Sequence, residues 1–438
     1  MRARSALILL SIAAALVAAA VYAAIEFRNS RPRFDPEALA NYYTRASVRP
    51  AQPVDEGEVR SGIASATDYL RRFTQPSGQF VYLVNMNPDV RVAPSYSLLR
   101  HAGTIYSLGM AHAVQFDETT VRVMQRSMDF LRRCCVSRLD EANAFGIWEP
   151  DEIMHAAAGP PAYMLGGAGL GLLAMVSLES IRPGSVPMEE MQGMAAFGRF
   201  LQRRSGAFDG AYVPSKREKT PLDAIYYPGE MALGWLSLYE LRPNPELVQA
   251  AVRALEFLAR ERAIAGDAPA DHWALLATAR LFAIADRDRL VIPREALTNH
   301  ALQICHDILE NGDARPLAPA TEGALNLRGW VTPAATRLEG LLAALTFLPA
   351  EHPVRPHVES AVHRGIAFLL RAQVKEGEFA GGFPYAIMPL PADGSRDARR
   401  FNEQQTEIRI DYVQHSLSAL VQYLWWISGH EGSARSAP

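Results

Sequence analysis

Cysteine is scarce in this chain of 438 residues: Cys134, Cys135 and Cys305 are the only three. Neighbouring side chains on a helix point in different directions, so Cys134 and Cys135 do not bridge easily, and no zinc-like spacing accompanies them. A disulfide framework is therefore excluded, and buried apolar thiols are expected. Runs of Lys and Arg are lacking, and the formal charge is only -3, which leaves no electrostatic footprint for nucleic acid. His-x-x-x-His spacing is missing as well, so no metal site is assigned and no cofactor is expected.

What is present begins with Met-Arg-Ala-Arg and then Ser5 to Ile25, a stretch without a charge and long enough to cross a bilayer as a helix. Arg2 and Arg4 should stay in the cytoplasm, which sends everything after Ile25 outward. Residues 1–27 are expected to be a cytoplasmic stub and a transmembrane anchor. Val21-Tyr22-Ala23 also fits a small-residue cleavage site, which leaves removal as a signal peptide open. Residues 28–57, with Pro32, Pro36, Pro50 and Pro53 among polar residues, read as a linker holding the domain off the membrane. Residues 429–438 are small and polar and read as a frayed tail.

Between these ends, over 58–428, the hydrophobic content of 49% is laid out almost wholly at helical spacing, and the helices come in pairs. The first helix of each pair is amphipathic and charged: 59–73, 118–135, 188–204, 245–262, 294–309 and 354–373. The second is more apolar: 96–113, 162–180, 228–241, 271–285, 333–348 and 412–427. Gly166-Gly167-Ala168-Gly169 in one of the apolar helices implies close packing at a cost in helix propensity. Six hairpins of this kind predict an all-α fold, an (α/α)6 toroid with an apolar inner ring inside an amphipathic outer one. A superhelical solenoid uses the same unit without closing, but its repeats are generally shorter and more uniform.

This alternation, together with the loops Gln75-Pro-Ser-Gly-Gln-Phe80 and Glu378-Phe-Ala-Gly-Gly-Phe-Pro-Tyr385, resembles the six-hairpin glycosidase superfamily and the related toroids of polysaccharide lyases and terpenoid cyclases. The resemblance implies the fold and says little about activity. The Asp-x-Asp-Asp element that terpenoid cyclisation often needs is missing. A second, weaker resemblance lies in Gly381-Gly-Phe-Pro-Tyr385 followed by Arg409-Ile-Asp-Tyr-Val-Gln-His415, which is similar to the C-terminal helical domain of D-glucuronyl C5-epimerases. It implies Tyr412 or Tyr96 as a proton carrier, with an arginine stabilising the enolate.

In a closed ring the inner helices run parallel, so their openings gather at one mouth. Those openings carry ionisable groups that an apolar ring would otherwise exclude. Glu230, Asp271, Glu339 and Asp411 supply carboxylates, and glycoside hydrolysis needs one acid and one base or nucleophile flanking the bond. Tyr226, Tyr227 and Trp273 stand beside them as faces on which a sugar stacks. Asp271 reads equally well as a helix N-cap. Arg100, Arg337 and Arg409 converge from three hairpins, and with the helix N-termini they fit an acidic glycan; the alternative pairs them with Glu339, Asp411 or Glu230 as structural ion pairs. His101, His272 and His415 are candidates for acid or base chemistry near neutral pH.

The expectation is a membrane-tethered, extracytoplasmic carbohydrate-active enzyme. Glycoside hydrolysis by Glu230, Asp271 and Asp411 leads. A uronate lyase or C5-epimerase at the same mouth follows, and a non-catalytic glycan-binding or envelope-assembly protein is the rival of another class. The opening Tyr96-Ser-Leu-Leu-Arg-His101 reads as a wall that positions substrate.

Overall fold

The computed structural model describes residues 34–154, 161–312 and 318–429. The predicted anchor, its alternative as a leader, and the tail beyond Gly429 lie outside the described residues, and among these no helix is long and apolar enough to cross a membrane.

Six inner helices, Leu98–Val114, Leu165–Ile181, Tyr227–Leu241, His272–Asp288, Val331–Leu345 and Ile410–Ile427, form the predicted ring. Each packs against the next, and the sixth packs against the first. That last contact closes the ring and excludes the open solenoid. Outside them run Glu56–Arg72, Glu118–Cys135, Met188–Leu201, Pro245–Ala265, Arg294–Gly312 and Arg355–Ala372. Polar caps fix several starts: Asp117 accepts from the backbone N–H groups of Thr119 and Thr120, and Asn244 from that of Glu246.

Close approach of inner helices depends on residues without a Cβ. A Cβ on Gly169 would stand 2.8 Å from the backbone of Glu230 and Met231, and one on Gly166 2.4 Å from the Tyr227 ring. The second and third inner helices therefore meet where Glu230 enters the mouth. Gly169→Ala is expected to force them apart and to cost about 1–3 kcal/mol in urea unfolding, with a change in Glu230's surroundings. A cost near zero would show that the third helix has freedom to move.

The two quoted loops also have a structural meaning. Gly78 and Gly381 adopt positive φ (91° and 89°), and a Cβ there would collide with the carbonyls of Arg126 and Ser65 at 2.0 Å. Each loop thus seats on the next outer helix, and Gly381 carries the last hairpin back to the first. At the mouth, the short strand Leu83–Asn85 pairs antiparallel with Glu407–Arg409, Leu83 opposite Arg409. This ties the first and last sectors together at the site.

Two expectations differ from the structure. The second inner helix begins at Leu165 and not at 162, because Tyr163–Met164 pairs as a strand with Asp209–Val213. The segment read as a linker is, from Phe34 onward, folded against the ring. Asp35 caps a helix Pro36–Arg45 that buries Leu39 and Tyr43, the Tyr43 hydroxyl lies 3.0 Å from His306 Nδ1, and the Val54 N–H donates to the Tyr423 hydroxyl at 2.9 Å. Apolar residues four apart supply the face that prolines alone do not predict.

Candidate active site

The inner-helix openings surround one cleft of about 760 Å³. Arg100, Tyr226, Tyr227, Glu230, His272, Trp273, Arg337, Arg409, Asp411, Tyr412 and His415 all line it. Glu339 stands immediately behind, touching His415. Tyr96, His101 and Asp271 are not among its lining residues, and each has a structural occupation.

Tyr96 and His101 satisfy one another. The Phe80 N–H donates to the Tyr96 hydroxyl at 3.1 Å, the hydroxyl and His101 Nδ1 are 2.7 Å apart, and His101 Nε2 is 2.9 Å from the Ser127 carbonyl. The carbonyl can only accept, so Nε2 carries the proton and the tyrosine donates to Nδ1. Burial pulls the His101 pKa down to about 4, against the pull of the Ser127 carbonyl, and pushes the Tyr96 phenol up. A neutral, fully bonded pair has no spare group for a ligand, which corrects the expectation that both bind substrate. Asp271 is corrected likewise. Its carboxylate is fully buried, caps the fourth inner helix through the Ala274 N–H at 3.0 Å, and pairs with Arg262 at 2.7 Å. The expectation of a catalytic Asp271 gives way to its reading as an N-cap.

Asp411 opens the sixth inner helix between two guanidiniums. Arg409 reaches it at 2.6 and 3.0 Å and Arg100 at 3.1 Å, while Arg100 also donates to the Tyr82 hydroxyl. Burial opposes its charge, but Arg409 and Arg100 outweigh that and hold the carboxyl below its ordinary range. Asp411 is thus a fixed anion and a weak base. Tyr412, beside it, packs its ring under the Arg409 guanidinium at 4.6 Å, and burial pushes its phenol up.

Glu230 is the opposite case. It is 4% exposed, one carboxyl oxygen has no hydrogen-bond partner, and burial followed by the charge of Asp271 raises its pKa well above the usual value. Both causes favour the protonated form of this carboxyl at the cleft. Tyr227 next to it is pushed up to about 12, by burial first and then by Glu230.

The most distinctive arrangement comes from three helices at once. His272 and His415 face each other with ring centroids 5.4 Å apart at 81°. Neither ring nitrogen of His272 has a hydrogen-bond partner, and burial together with the charge of His415 drives its pKa well down. Burial opposes charge on His415 too, but Glu339, 2.8 Å from Nδ1, more than offsets it and raises the pKa. Burial favours the neutral form of His272, and Glu339 favours the charged form of His415. Donor atoms of His272, Glu339 and His415 lie within 4.8 Å of one another. The 2.8 Å separation is a hydrogen bond, shorter than the roughly 3.3 Å between ligands that share a tetrahedral zinc. Tyr226 and Trp273 pack edge-on and tilted against His272 at 5.1 and 5.0 Å and keep it in place.

The inner-helix openings do not reveal Glu149, Trp330 or Tyr385, which also line the cleft, and Thr332 lines it from within the fifth opening. Glu149 comes from the connection between the second hairpin's helices, and burial pushes its carboxyl up against the pull of the Leu98 N–H and the Arg100 charge. Trp330 precedes the fifth inner helix and packs at 6.3 Å from Tyr385, a residue of the quoted glycine loop.

No protein-family model and no curated sequence matches the chain. Solved structures do share its fold. A cellobiose 2-epimerase from Bacillus thermoamylovorans aligns with a TM-score of 0.61 at 9% identity, over 83% of this chain and 98% of that one. A D-mannose isomerase aligns at 0.59 and 10%, over 84% and 97%. A GH76 α-mannanase of Bacteroides thetaiotaomicron aligns at 0.54 and 10%, over 90% and 99%. The chain has the (α/α)6 six-hairpin fold that these proteins share.

Proposed function

We propose that this chain is a carbohydrate-active enzyme whose chemistry is proton transfer on a sugar, epimerisation or isomerisation at the carbon beside the carbonyl. The observation that carries this reading is the imidazole pair, His272 and His415 with ring centroids 5.4 Å apart, one pushed toward its neutral form and the other toward its charged form. Acid and base roles are assigned where environments push two pKa values apart. With an open-chain aldose bound, His272 takes the proton from C2, the freed electron pair forms the C1–C2 double bond, and the carbonyl oxygen takes a proton from His415. Reprotonation of C2 by water on the other face, with O1–H giving its proton back to His415 and His272 releasing its own to water, yields the epimer. Transfer of the His272 proton to C1, with O2–H giving its proton to His415, yields the ketose, and no outside oxidant enters. Since Glu339 holds His415 through Nδ1, Nε2–H is the donor left for a ligand. Two of the fold neighbours are named for reactions of this class.

Glu339 then acts as a positioning residue. Glu339→Gln removes the anion that favours the imidazolium, so His415 loses its proton at lower pH. The alkaline limb of the kcat/KM profile is expected to move to lower pH. An unmoved alkaline limb would show that His415 is not the acid.

Glycoside hydrolysis is the second reading, and Glu230 favours it: a carboxyl pushed toward its protonated form, with one oxygen unpartnered at the cleft, is what a general acid requires. Its difficulty is the partner carboxylate, since Asp271 lies in a buried ion pair and Asp411 is clamped by two arginines. Product analysis on reducing mono- and disaccharides separates the two. Proton transfer yields an isomer of equal mass with no new reducing ends, and hydrolysis yields shorter sugars with more of them. Release of reducing ends lost in Glu230→Gln would favour the second reading.

The run Ser5–Ile25 behind Arg2 and Arg4 supports a domain tethered to a membrane on its outer side. The full chain is expected to stay in the pellet after carbonate extraction and to be cut by protease added to spheroplasts. Release into the supernatant would favour cleavage of the leader.

A further inference from the structure

One wall of the cleft is rich in hydrogen-bond donors that have no acceptor. Arg337, on the fifth inner helix, lines the cleft half-buried, and its guanidinium donates to the Leu325 carbonyl. Among the described residues no carboxylate forms an ion pair with it, whereas Arg100 and Arg409 both close on Asp411. Asp307 is near enough for its charge to be felt, but it is not in contact, and its Oδ1 accepts from Asn311 at 2.5 Å. Just upstream on the same wall, Trp330 Nε1 and Thr332 Oγ1 are buried without a hydrogen-bond partner.

Unpartnered buried donors are costly, and a half-buried guanidinium without an anion more so. One such group has many explanations, but two unpartnered donors and a guanidinium that meets only a backbone carbonyl, on three residues of Trp330–Arg337 that line the same cleft, call for a shared acceptor. The other acidic groups of the cleft do not pair with Arg337, and burial pushes Glu149 and Glu230 toward the neutral form. The Glu339 carboxylate is matched by His415, and Asp411 is outnumbered by its two arginines. Tyr226 is the other group whose charge Arg337 feels, and it is a phenol.

We propose that the Trp330–Arg337 wall is a subsite for the anionic substituent of a sugar, with Arg337 as counter-ion and Trp330 Nε1 and Thr332 Oγ1 as flanking donors. The planar fork of a guanidinium matches a carboxylate or a phosphate ester in the same way. The shared chemistry is therefore an acidic sugar, a uronate or a sugar phosphate, bound with its anionic end on the fifth sector while His272 and His415 face its carbon skeleton. The proposal rests on the reading of the cleft as a sugar site, and it does not require turnover.

The test is equilibrium binding by titration calorimetry to the full chain. D-glucuronate, D-galacturonate and D-mannuronate, and the corresponding hexose 6-phosphates, are each compared with the neutral hexose. At least one anionic sugar is expected to bind about tenfold or more tightly than its hexose. That ratio should collapse toward about one in Arg337→Gln and be kept in part in Arg337→Lys, which retains the charge but not the fork. Preference for uronates or for phosphates identifies the source of the anion. The proposal is overturned if no anionic sugar outbinds its hexose, or if the ratio is unchanged in Arg337→Gln. Should that variant not fold, Arg337→Lys decides: a ratio unchanged from wild type overturns the proposal equally. Anion-selective binding with no isomer formed would keep the subsite and remove the proton-transfer reading.

Discussion

Replacing His272 or His415 with alanine is expected to lower turnover on a reducing sugar by about 10²–10⁴-fold, the range lost when a positioned acid or base is removed. The two sites differ in kind. At His272 the loss should fall on kcat, because the ring has no hydrogen bond to the protein and holds nothing else in place. At His415 the loss includes release of Glu339, whose carboxylate is left buried beside the cleft. His415→Ala should therefore also cost stability, and His272→Ala should cost less. The double variant is expected to be little slower than either single one, since acid and base act on one transition state. His272→Ala retaining more than about a tenth of wild-type turnover would contradict the acid–base assignment. If Glu230→Gln were then the variant that abolished turnover, chemistry would move to the carboxyl.

A comparably large effect is expected on stability. Asp271→Asn keeps a good N-cap for the fourth inner helix, since Asn and Asp cap about equally well, but it removes the charge facing Arg262. Arg262 has a side chain only 10% exposed, and beyond Asp271 its Nη1 reaches His300 Nε2 at 3.0 Å. Burial and the arginine's charge keep His300 neutral and its pKa well below the ordinary value, so it cannot replace the anion. Breaking a buried pair by removing one partner costs about 3–5 kcal/mol. Urea unfolding should show a loss of that order with kcat close to wild type. A loss under about 1 kcal/mol with a large fall in kcat would return Asp271 to the chemistry.

The hairpins were legible because helical periodicity and caps are local. Glu118–Cys135 lies where the sequence places it, with Asp117 as its cap. The mouth was legible as well, because charged residues on apolar helices need a reason. Which of two neighbours faces the cleft was not, since adjacent residues on a helix point about 100° apart. Arg100 lines the cleft while His101 turns to the outer ring, and His272 lines it while Asp271 turns to Arg262. The trio of His272, Glu339 and His415 has no spacing to betray it, because it joins three helices far apart in the chain. Strands of three residues, such as Glu407–Arg409, are too short to show a period, so the strand pair that positions Arg409 is a product of ring closure. Glu149 was missed because it reaches the site from a connection between helices.

The central claim is that His272 and His415 move a proton on a sugar carbon. Incubation of the enzyme with its reducing sugar in deuterium oxide, followed by proton NMR of the C1 and C2 positions, tests this most directly. Deuterium should enter C2 of recovered aldose and of an epimer, or C1 of a ketose, at a rate comparable to turnover, and at a background rate in His272→Ala. Turnover to product with every C2 hydrogen retained would contradict the account.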